Sequence, residues 1–332
     1  MTVLITGAGA VAEEPRPAGG TGDGTAAAAW FDPAAHLGRR GWKYLSPATR
    51  YLLAAGNRAL GRRHDEPPLT GDAAERFGVV TGTQYAIAGV HRRMDDTLTT
   101  VGVQGISPAE VPGFSMNTPG SQLAISTGAR AFSVTLTNPV TAGLEAVQFA
   151  VTALRTGRAD RVVAAATDQA PAGEDGGDRY DAAAAVVLSR DPAPDSSGGT
   201  GALAGITGGT SRFVPRSADG GWDRAALAAS GGRVAALAGG AADVRLVVSG
   251  PADAAEFGGA VRDAVAESLA EAGGSVREPA GAVSEARHCA VSGLLELIAL
   301  ARTGGTGLVV SVSEFGHLTA IALDGPVHSE FH

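Results

Sequence analysis

The chain has 332 residues, of which 44% are apolar and 18% are charged, and its net charge is -8 from 26 basic and 34 acidic residues. This composition predicts a globular protein with room for one large α/β domain or two smaller core-forming units. No cluster of Lys and Arg of the kind that nucleic acids or anionic membranes require is apparent, so neither partner is expected. The net charge does not exclude a local basic face that binds an acidic partner.

The cysteine content limits both redox chemistry and location. Cys289 is the only cysteine, so a disulfide within the chain is impossible, and no metal site is expected. A single free thiol fits a reducing compartment. The sequence opens without the basic and apolar segments of a signal peptide, and no apolar run approaches membrane-spanning length. We therefore expect a cytoplasmic protein.

The first predicted element is a buried strand that runs into glycines, over residues 2–12. Gly7, Gly9 and Ala12 formally match the dinucleotide-binding pattern G-x-G-x-x-A. That pattern needs a following helix to hold the pyrophosphate, whereas residues 13–29 are rich in Pro and Gly. We predict a strand that ends in a turn, then a loop, and no cofactor. A nicotinamide-dependent reductase is the alternative that this motif raises.

Strands and helices alternate through the next part of the chain. Helix signals include an N-cap serine and a proline at a first helical position. The predicted helices are 46–62, 85–98, 119–128 and 141–157; Ser46 caps the first and Pro119 opens the third. The predicted strands are 77–83, 131–137, 161–168 and 182–190.

The same alternation recurs after a turn-rich linker at residues 191–200. The sequence therefore predicts a layered α/β fold with two related halves, residues 1–190 and 201–332, that form one compact unit. In the second half we predict strands at 244–250, 307–313 and 319–325 and helices at 253–272 and 288–304.

Several segments resemble those of a known family, in the family's order. They are VLITGAGAV, FGVVTGT, TAGLEAVQFAVTALRTGRADRVVAAATD, RYDAAAAVVLSR, ARHCAVSGLLELIAL and EFGHLTAIAL. This ordered set resembles the β-ketoacyl synthases, and the resemblance implies their thiolase-like fold, with five αβαβα layers in two related halves. The chain is shorter than an ordinary ketosynthase, which implies trimmed loops, mostly in the second half.

The catalytic residues of a ketosynthase are largely missing. A ketosynthase holds its acyl chain as a thioester on a Cys at a strand-to-helix elbow, assisted by two His and a Lys. The resemblance places Val140 at the Cys position and Val283 at the Lys position, and only His288 remains of the two histidines. We therefore expect no catalytic residue.

Cys289 raises an alternative, because a Cys beside a His is a candidate nucleophile. Adjacent residues on a helix point about 100° apart, so we expect no hydrogen bond between Cys289 and His288 and a packing role for the thiol. His317, in the segment EFGHLTA, is expected to be solvated or to pack. A stand-alone ketosynthase-like acyltransferase that uses His288 with Cys289 or a serine stays open.

The family includes members without the Cys, the chain-length factors of bacterial type II polyketide synthases. The resemblance implies a non-catalytic subunit that pairs with an active ketosynthase, as a heterodimer or a dimer of heterodimers, and is met by an acyl-carrier protein. Many chain-length factors carry Gln at the elbow, which is linked to decarboxylation, and Val140 offers no such amide. The trimmed length, the small Ala88 and the missing Gln suggest a divergent branch of the family. One such branch serves highly reducing, polyene-type systems.

Chain length in these systems is controlled sterically, on the helix after strand 77–83. The resemblance places this gate at Ala88, His91 and Asp95, which share a helix face. A register shift of one residue brings in Ile87 or Met94. A solvated helix face without a gating role is the alternative.

The subunit interface is expected beside this gate. The resemblance places Phe114 and Met116 near the tunnel and the interface. The resemblance also implies that the strand before the elbow, 131–137 with Thr135 and Thr137, pairs across the two-fold axis of a dimer, and its β-branched content suits a buried pairing edge.

Overall fold

A computed structural model describes residues 2–14, 30–108, 110–171, 178–190, 201–241, 243–277, 283–304 and 306–325. The predicted linker at 191–200 and most of the predicted loop at 13–29 lie outside these ranges.

Each predicted strand and helix is present in the described ranges, which also contain three strands and three helices that the sequence did not predict. The strands are β1 (Val3–Ala12), β2 (Phe77–Gly82), β3 (Phe132–Leu136), β4 (Arg161–Asp168), β5 (Ala182–Ser189), β6 (Ala204–Phe213), β7 (Asp243–Gly250), β8 (Ser275–Arg277), β9 (Ser284–Glu285), β10 (Gly307–Val312) and β11 (His317–Asp324). The helices are α1 (Pro33–Leu37), α2 (Pro47–Leu60), α3 (Gly71–Glu75), α4 (Ala88–Thr100), α5 (Thr118–Thr127), α6 (Ala142–Arg155), α7 (Arg224–Ala235), α8 (Ala255–Glu271) and α9 (Ser292–Thr303).

The strand order reveals two halves with the same topology. The sheet runs β3-β2-β4-β5-β1-β6-β11-β10-β7-β8. From its two outer ends inward, the order is 3-2-4-5-1 in one half and 8-7-10-11-6 in the other. In each half the three outer strands are parallel and the next pairings are antiparallel. The halves join where β1 pairs with β6.

Three hydrophobic clusters divide the molecule into five layers. The central cluster joins α6 and α9 to strands of both halves. One outer cluster packs α2 and α5 on the first half of the sheet, and the other packs α7 and α8 on the second half. The αβαβα fold with two related halves is thus confirmed. Within the ranges given above, every helix is too short or too polar to cross a lipid bilayer.

The glycines of β1 serve packing, and the predicted turn at their position is wrong. The strand continues through Gly7 and Gly9 to Ala12, antiparallel to β5. A Cβ on Gly7 would lie 2.1 Å from the carbonyl oxygen of Ala59 in α2. Glycine therefore allows the helix to approach the strand, and these residues do not form a helix N-terminus that could hold a pyrophosphate.

Candidate functional site

The turn between β3 and α6 has the backbone of a nucleophile elbow. Val140 lies in this turn with φ of 60°, in the left-handed region. This conformation costs an L-residue about 1–2 kcal/mol and is least suited to a β-branched side chain. Strained strand-to-helix turns of this kind present catalytic nucleophiles. Here the side chain is aliphatic and 4% exposed, so Val140 itself offers no attacking group.

A second turn of the same kind precedes α9, the helix that corresponds to α6 in the other half. Cys289 there has φ of 50°, and it and Val140 are the non-glycine residues with positive φ in the described ranges. The two turns pack together directly, because a Cβ on Gly143 would lie 2.2 Å from the carbonyl oxygen of Ala290. The turn at Val140 in one half and the turn at Cys289 in the other therefore meet at the centre of the molecule.

Asp168 ties the loops around the two turns together. It lies at the end of β4 and is fully buried. Its Oδ1 accepts hydrogen bonds from Thr83 Oγ1 at 2.9 Å, the Gln84 N–H at 2.8 Å and the Tyr85 N–H at 2.6 Å. Its Oδ2 accepts the Ala290 N–H at 2.9 Å. Burial raises the pKa of this carboxyl to about 6, against the hydrogen bonds that lower it.

Polar side chains flank the elbow on two sides. The N–H of Val140 donates to Gln84 Oε1 at 3.2 Å. The Glu145 carboxylate accepts from Asn138 Nδ2 at 2.9 and 2.8 Å and from Thr141 Oγ1 at 2.9 Å. Sequence reasoning did not identify Gln84, Glu145 or Asp168, and none of them follows from a local pattern.

In the described ranges, no hydrogen bond joins His288 to Cys289. His288 Nε2 lies 2.9 Å from the carbonyl oxygen of Glu13, so this ring nitrogen already has a hydrogen-bond partner. Cys289 is buried, and burial followed by the charge of Asp168 raises the pKa of its thiol well above the usual range. The thiol therefore stays protonated at neutral pH, where a nucleophile must be a thiolate. The predicted helical geometry of this pair is wrong, because both precede α9 and Cys289 opens a 3₁₀ turn.

Val283 lies away from the elbow. It packs against the outer cluster of the second half, and its Cγ1 would lie 2.8 Å from a Cβ on Gly258 of α8. His317 is half-buried and places its ring 5.1 Å from that of Phe213.

The residues assigned to the gate divide between two faces of the segment around α4. Ile87, which precedes the helix, and Met94 are buried. On the other face Ala88 and His91 are half-buried, and Asp95 is exposed. The imidazole of His91 packs 4.3 Å from the ring of Phe114, with its Nε2 3.4 Å from the Phe114 carbonyl oxygen.

Exposed apolar side chains follow α4 in the chain, and β3 has an open edge in the described ranges. Phe114 is 50% exposed, and Met116 is half-buried. Within the described ranges β3 pairs only with β2. Thr137 follows β3 and is exposed, whereas Thr135 Oγ1 is buried and has no hydrogen-bond partner in those ranges. Further exposed apolar side chains of this part of the chain are Leu98, Val101, Val103, Val111 and Ile125.

Comparisons with solved structures agree with this architecture. The ishigamide ketosynthase/chain length factor matches with a TM-score of 0.67 at 19% identity, over 97% of this chain and 99% of that one. A type II polyketide synthase acyl-carrier protein in complex with its hexaketide-bound ketosynthase gives 0.73 at 16% identity, over 97% and 99%. An oxazolomycin ketosynthase domain from Streptomyces albus gives 0.66 at 15% identity, over 98% and 96%. At these identities the similarity establishes the fold.

The family follows from the sequence match. A comparison with curated proteins gave no match. The model of the β-ketoacyl synthase N-terminal domain, however, matches residues 10–209, which is more than half of the chain and includes the elbow. The chain therefore belongs to the β-ketoacyl synthase family.

Proposed function

We propose that the chain is a non-catalytic subunit of the chain-length-factor type, which pairs with an active ketosynthase and shapes the tunnel for its growing polyketide. The observation that carries this proposal is the elbow at Val140. It keeps the strained backbone of a nucleophile turn, with φ of 60°, but presents an aliphatic side chain. The neutral, buried thiol of Cys289 argues against a stand-alone acyltransferase.

The open edge of β3 supports a protein partner at this site. An unpaired strand edge next to exposed apolar side chains is a surface that another chain normally covers. Val103 is 76% exposed and Ile125 is 68% exposed. We infer that β3 and this apolar surface, defined by Leu98, Val101, Val103, Val111, Phe114 and Ile125, meet the ketosynthase subunit in a heterodimer or a dimer of heterodimers.

The half-buried face of α4 is our candidate for the chain-length gate. Ala88, His91 and Asp95 share this face, next to Phe114 of the apolar surface. A tunnel between two subunits is bounded by such side chains, and bulk there limits the length of the chain that fits. Ala88 contributes little bulk, so His91, held against Phe114, is the residue that would close the tunnel. Ile87 and Met94 line the core side.

An acyl-carrier protein must reach the complex to deliver its thioester. Arg39, Arg40 and Lys43 form an exposed basic group just before α2, and in the part of the chain that the structure describes no ion pair involves them. Tyr44 beside them is 94% exposed. This local basic face in an acidic chain suits the phosphate of a carrier protein's pantetheine arm, so we place the carrier contact here.

The small side chain of Ala88 and the trimmed length favour a highly reducing, polyene-type system. We further propose that residues 1–190 and 201–332 fold as one unit and act in the cytoplasm.

Co-expression with a ketosynthase encoded beside this chain tests the proposal. We expect a tag on this chain to recover the ketosynthase in a 1:1 ratio. Condensation should be lost when the partner's active-site Cys is replaced and retained with Cys289→Ala here. A stable homodimer that ignores the ketosynthase and consumes an acyl thioester alone would contradict the proposal.

A further inference from the structure

The backbone N–H of Val140, at the elbow, already donates a hydrogen bond to another residue of the chain. Because α6 begins at Ala142, the N–H of Val140 has no acceptor inside the helix. In an acyl-transfer site, a donor at such a turn stabilises the negative charge that develops on the oxygen of a thioester. Here Gln84 Oε1 accepts this N–H at 3.2 Å.

Gln84 is held at the elbow by the backbone of its own loop. Its N–H donates to Asp168 at 2.8 Å. The preceding residue, Thr83, donates its N–H to the carbonyl oxygen of Leu136 at 2.9 Å, at the end of β3. Only the oxygen of a carboxamide can accept a hydrogen bond, so the contact fixes which end of the side chain faces Val140. The backbone at Gln84 is therefore fixed before the contact forms, and only the rotamer freedom of its side chain is lost with it.

We propose that Gln84 is an internal cap, whose carboxamide oxygen takes the position that the carbonyl oxygen of a substrate thioester would take in a working elbow. This inference rests on the proposed non-catalytic role and deepens it. It gives the chain a second barrier to acyl transfer, separate from the missing thiol. An acyl chain passing this elbow is not activated there and stays available to the ketosynthase subunit.

Variants with a single thiol at the elbow test the cap directly. Val140→Cys combined with Cys289→Ser gives such a chain, and adding Gln84→Ala removes the cap. Each is incubated with an acyl thioester of N-acetylcysteamine. The elbow thiolate attacks the carbonyl carbon, the carbon–sulfur bond of the reagent breaks, and N-acetylcysteamine leaves and takes up a proton. Intact-protein mass spectrometry measures the rate.

Two controls separate activation of the carbonyl from simple access. Alkylation by iodoacetamide displaces iodide without developing an oxyanion, so it reports only exposure and ionisation of the thiol. Gln122→Ala removes a glutamine of α5, outside the elbow contacts. Removing one oxyanion donor from an enzyme lowers its rate about 10²–10³-fold. With the flexible N-acetylcysteamine reagent, we expect a free Val140-position N–H to raise the acylation rate at least about tenfold.

We therefore expect Gln84→Ala to raise acylation at least about tenfold relative to alkylation, and Gln122→Ala to change neither. Equal acylation with and without Gln84 would overturn the proposal. An equal rise in both reactions would also overturn it, because Gln84 would then be only a steric obstacle.

Amide hydrogen exchange gives a second test that needs no engineered thiol. In the otherwise unchanged chain, Gln84→Ala should speed exchange at the Val140 amide, while Gln84→Glu, which keeps an acceptor, should preserve the protection. Unchanged exchange in Gln84→Ala would overturn the cap. Both tests are made on this chain without a partner. A failure to bind a ketosynthase would therefore contradict the proposed function and leave the proposal about Gln84 unaffected.

Discussion

Val140 and Cys289 occupy equivalent turns in the two halves of the molecule, each directly before a central helix and each with positive φ, 60° and 50°. The two turns touch through Gly143 and the carbonyl oxygen of Ala290. The fold thus retains two strained turns at its centre, although one carries an aliphatic side chain and the other a neutral thiol. Backbone strain at such turns is maintained by the surrounding packing.

The strain at Val140 predicts an unusual order of variant stabilities. Val140→Ala loses two methyl groups but keeps a side chain at positive φ, whereas Val140→Gly removes the strain of about 1–2 kcal/mol. We expect the free energy of unfolding of Val140→Gly to equal or exceed that of Val140→Ala. At Val147, buried in α6, the order should reverse, because Gly costs a helix about 1 kcal/mol more than Ala. Denaturant unfolding measures the free energies of unfolding of all four variants. If the Ala variant is more stable than the Gly variant at both sites, the backbone of Val140 is not strained.

The buried carboxyl of Asp168 predicts a dependence of stability on pH. Its pKa is raised to about 6 from an ordinary value of 3.8, so the folded protein binds this proton more tightly than the unfolded chain does. The contribution of this group to the free energy of unfolding therefore decreases as pH rises from about 4 to about 6 and is constant above that window.

Asp168→Asn isolates this effect because the amide does not titrate. We expect the variant to be less stable at every pH, since Nδ2 cannot accept the Ala290 N–H. The stability difference between the original chain and the variant should shrink from pH 4 to 6, measured by urea unfolding. A difference that grows over this window would contradict a raised pKa.

Cys289 should behave as an inert thiol. Its burial and the pKa raised by burial and Asp168 predict slow reaction with iodoacetamide at pH 8 in the native state and fast reaction in denaturant. Cys289→Ala should leave complex formation unchanged. Rapid labelling of the native chain, followed by mass spectrometry, would show a reactive thiol.

The proposed interface predicts a site-specific loss of partner binding. Val103→Asp places a charge on the apolar surface at a side chain that is 76% exposed, so folding should be unaffected. We expect it to weaken binding to the ketosynthase at least about tenfold, because an unpaired charge is costly to bury. Tyr44→Asp, at a side chain 94% exposed on the basic face, is the matched control. Equal affinity for both variants, measured by titration, would place the interface elsewhere.

The gate predicts a change in product length. Ala88→Phe adds bulk to the half-buried face of α4 and should shorten the main product by at least one extension, read by mass spectrometry of the reconstituted complex. Asp96→Phe, at an exposed position of the same helix, is the control and should leave the product unchanged. Identical products from both variants would contradict a gate on this face.

Elements with strong local signals were predictable from the sequence. Ser46 caps α2, accepting the Thr49 N–H at 3.3 Å, and Pro119 lies in the first turn of α5 as expected. β6 and α7 were missed because their sequences, AGITGGTSRF and RAALAASGGRVA, are rich in Gly and Ala and lack a clear apolar period.

The arrangement of the site was only partly predictable. The ordered motifs located the elbow at Val140, but not the contact to Gln84, which is 56 residues away in sequence. The sequence predicts helix at Cys289, because no sequence pattern signals positive φ in a non-glycine residue. Such features depend on tertiary packing, which local propensity does not encode.

The subunit that carries the acyl group distinguishes a non-catalytic partner from an enzyme. The purified complex with its ketosynthase is incubated with an acyl-carrier protein charged with an acyl chain, and both subunits are weighed by intact-protein mass spectrometry. We expect the acyl mass on the ketosynthase subunit alone. Acyl mass on this chain, lost in Cys289→Ala, would contradict it and identify the chain as an enzyme.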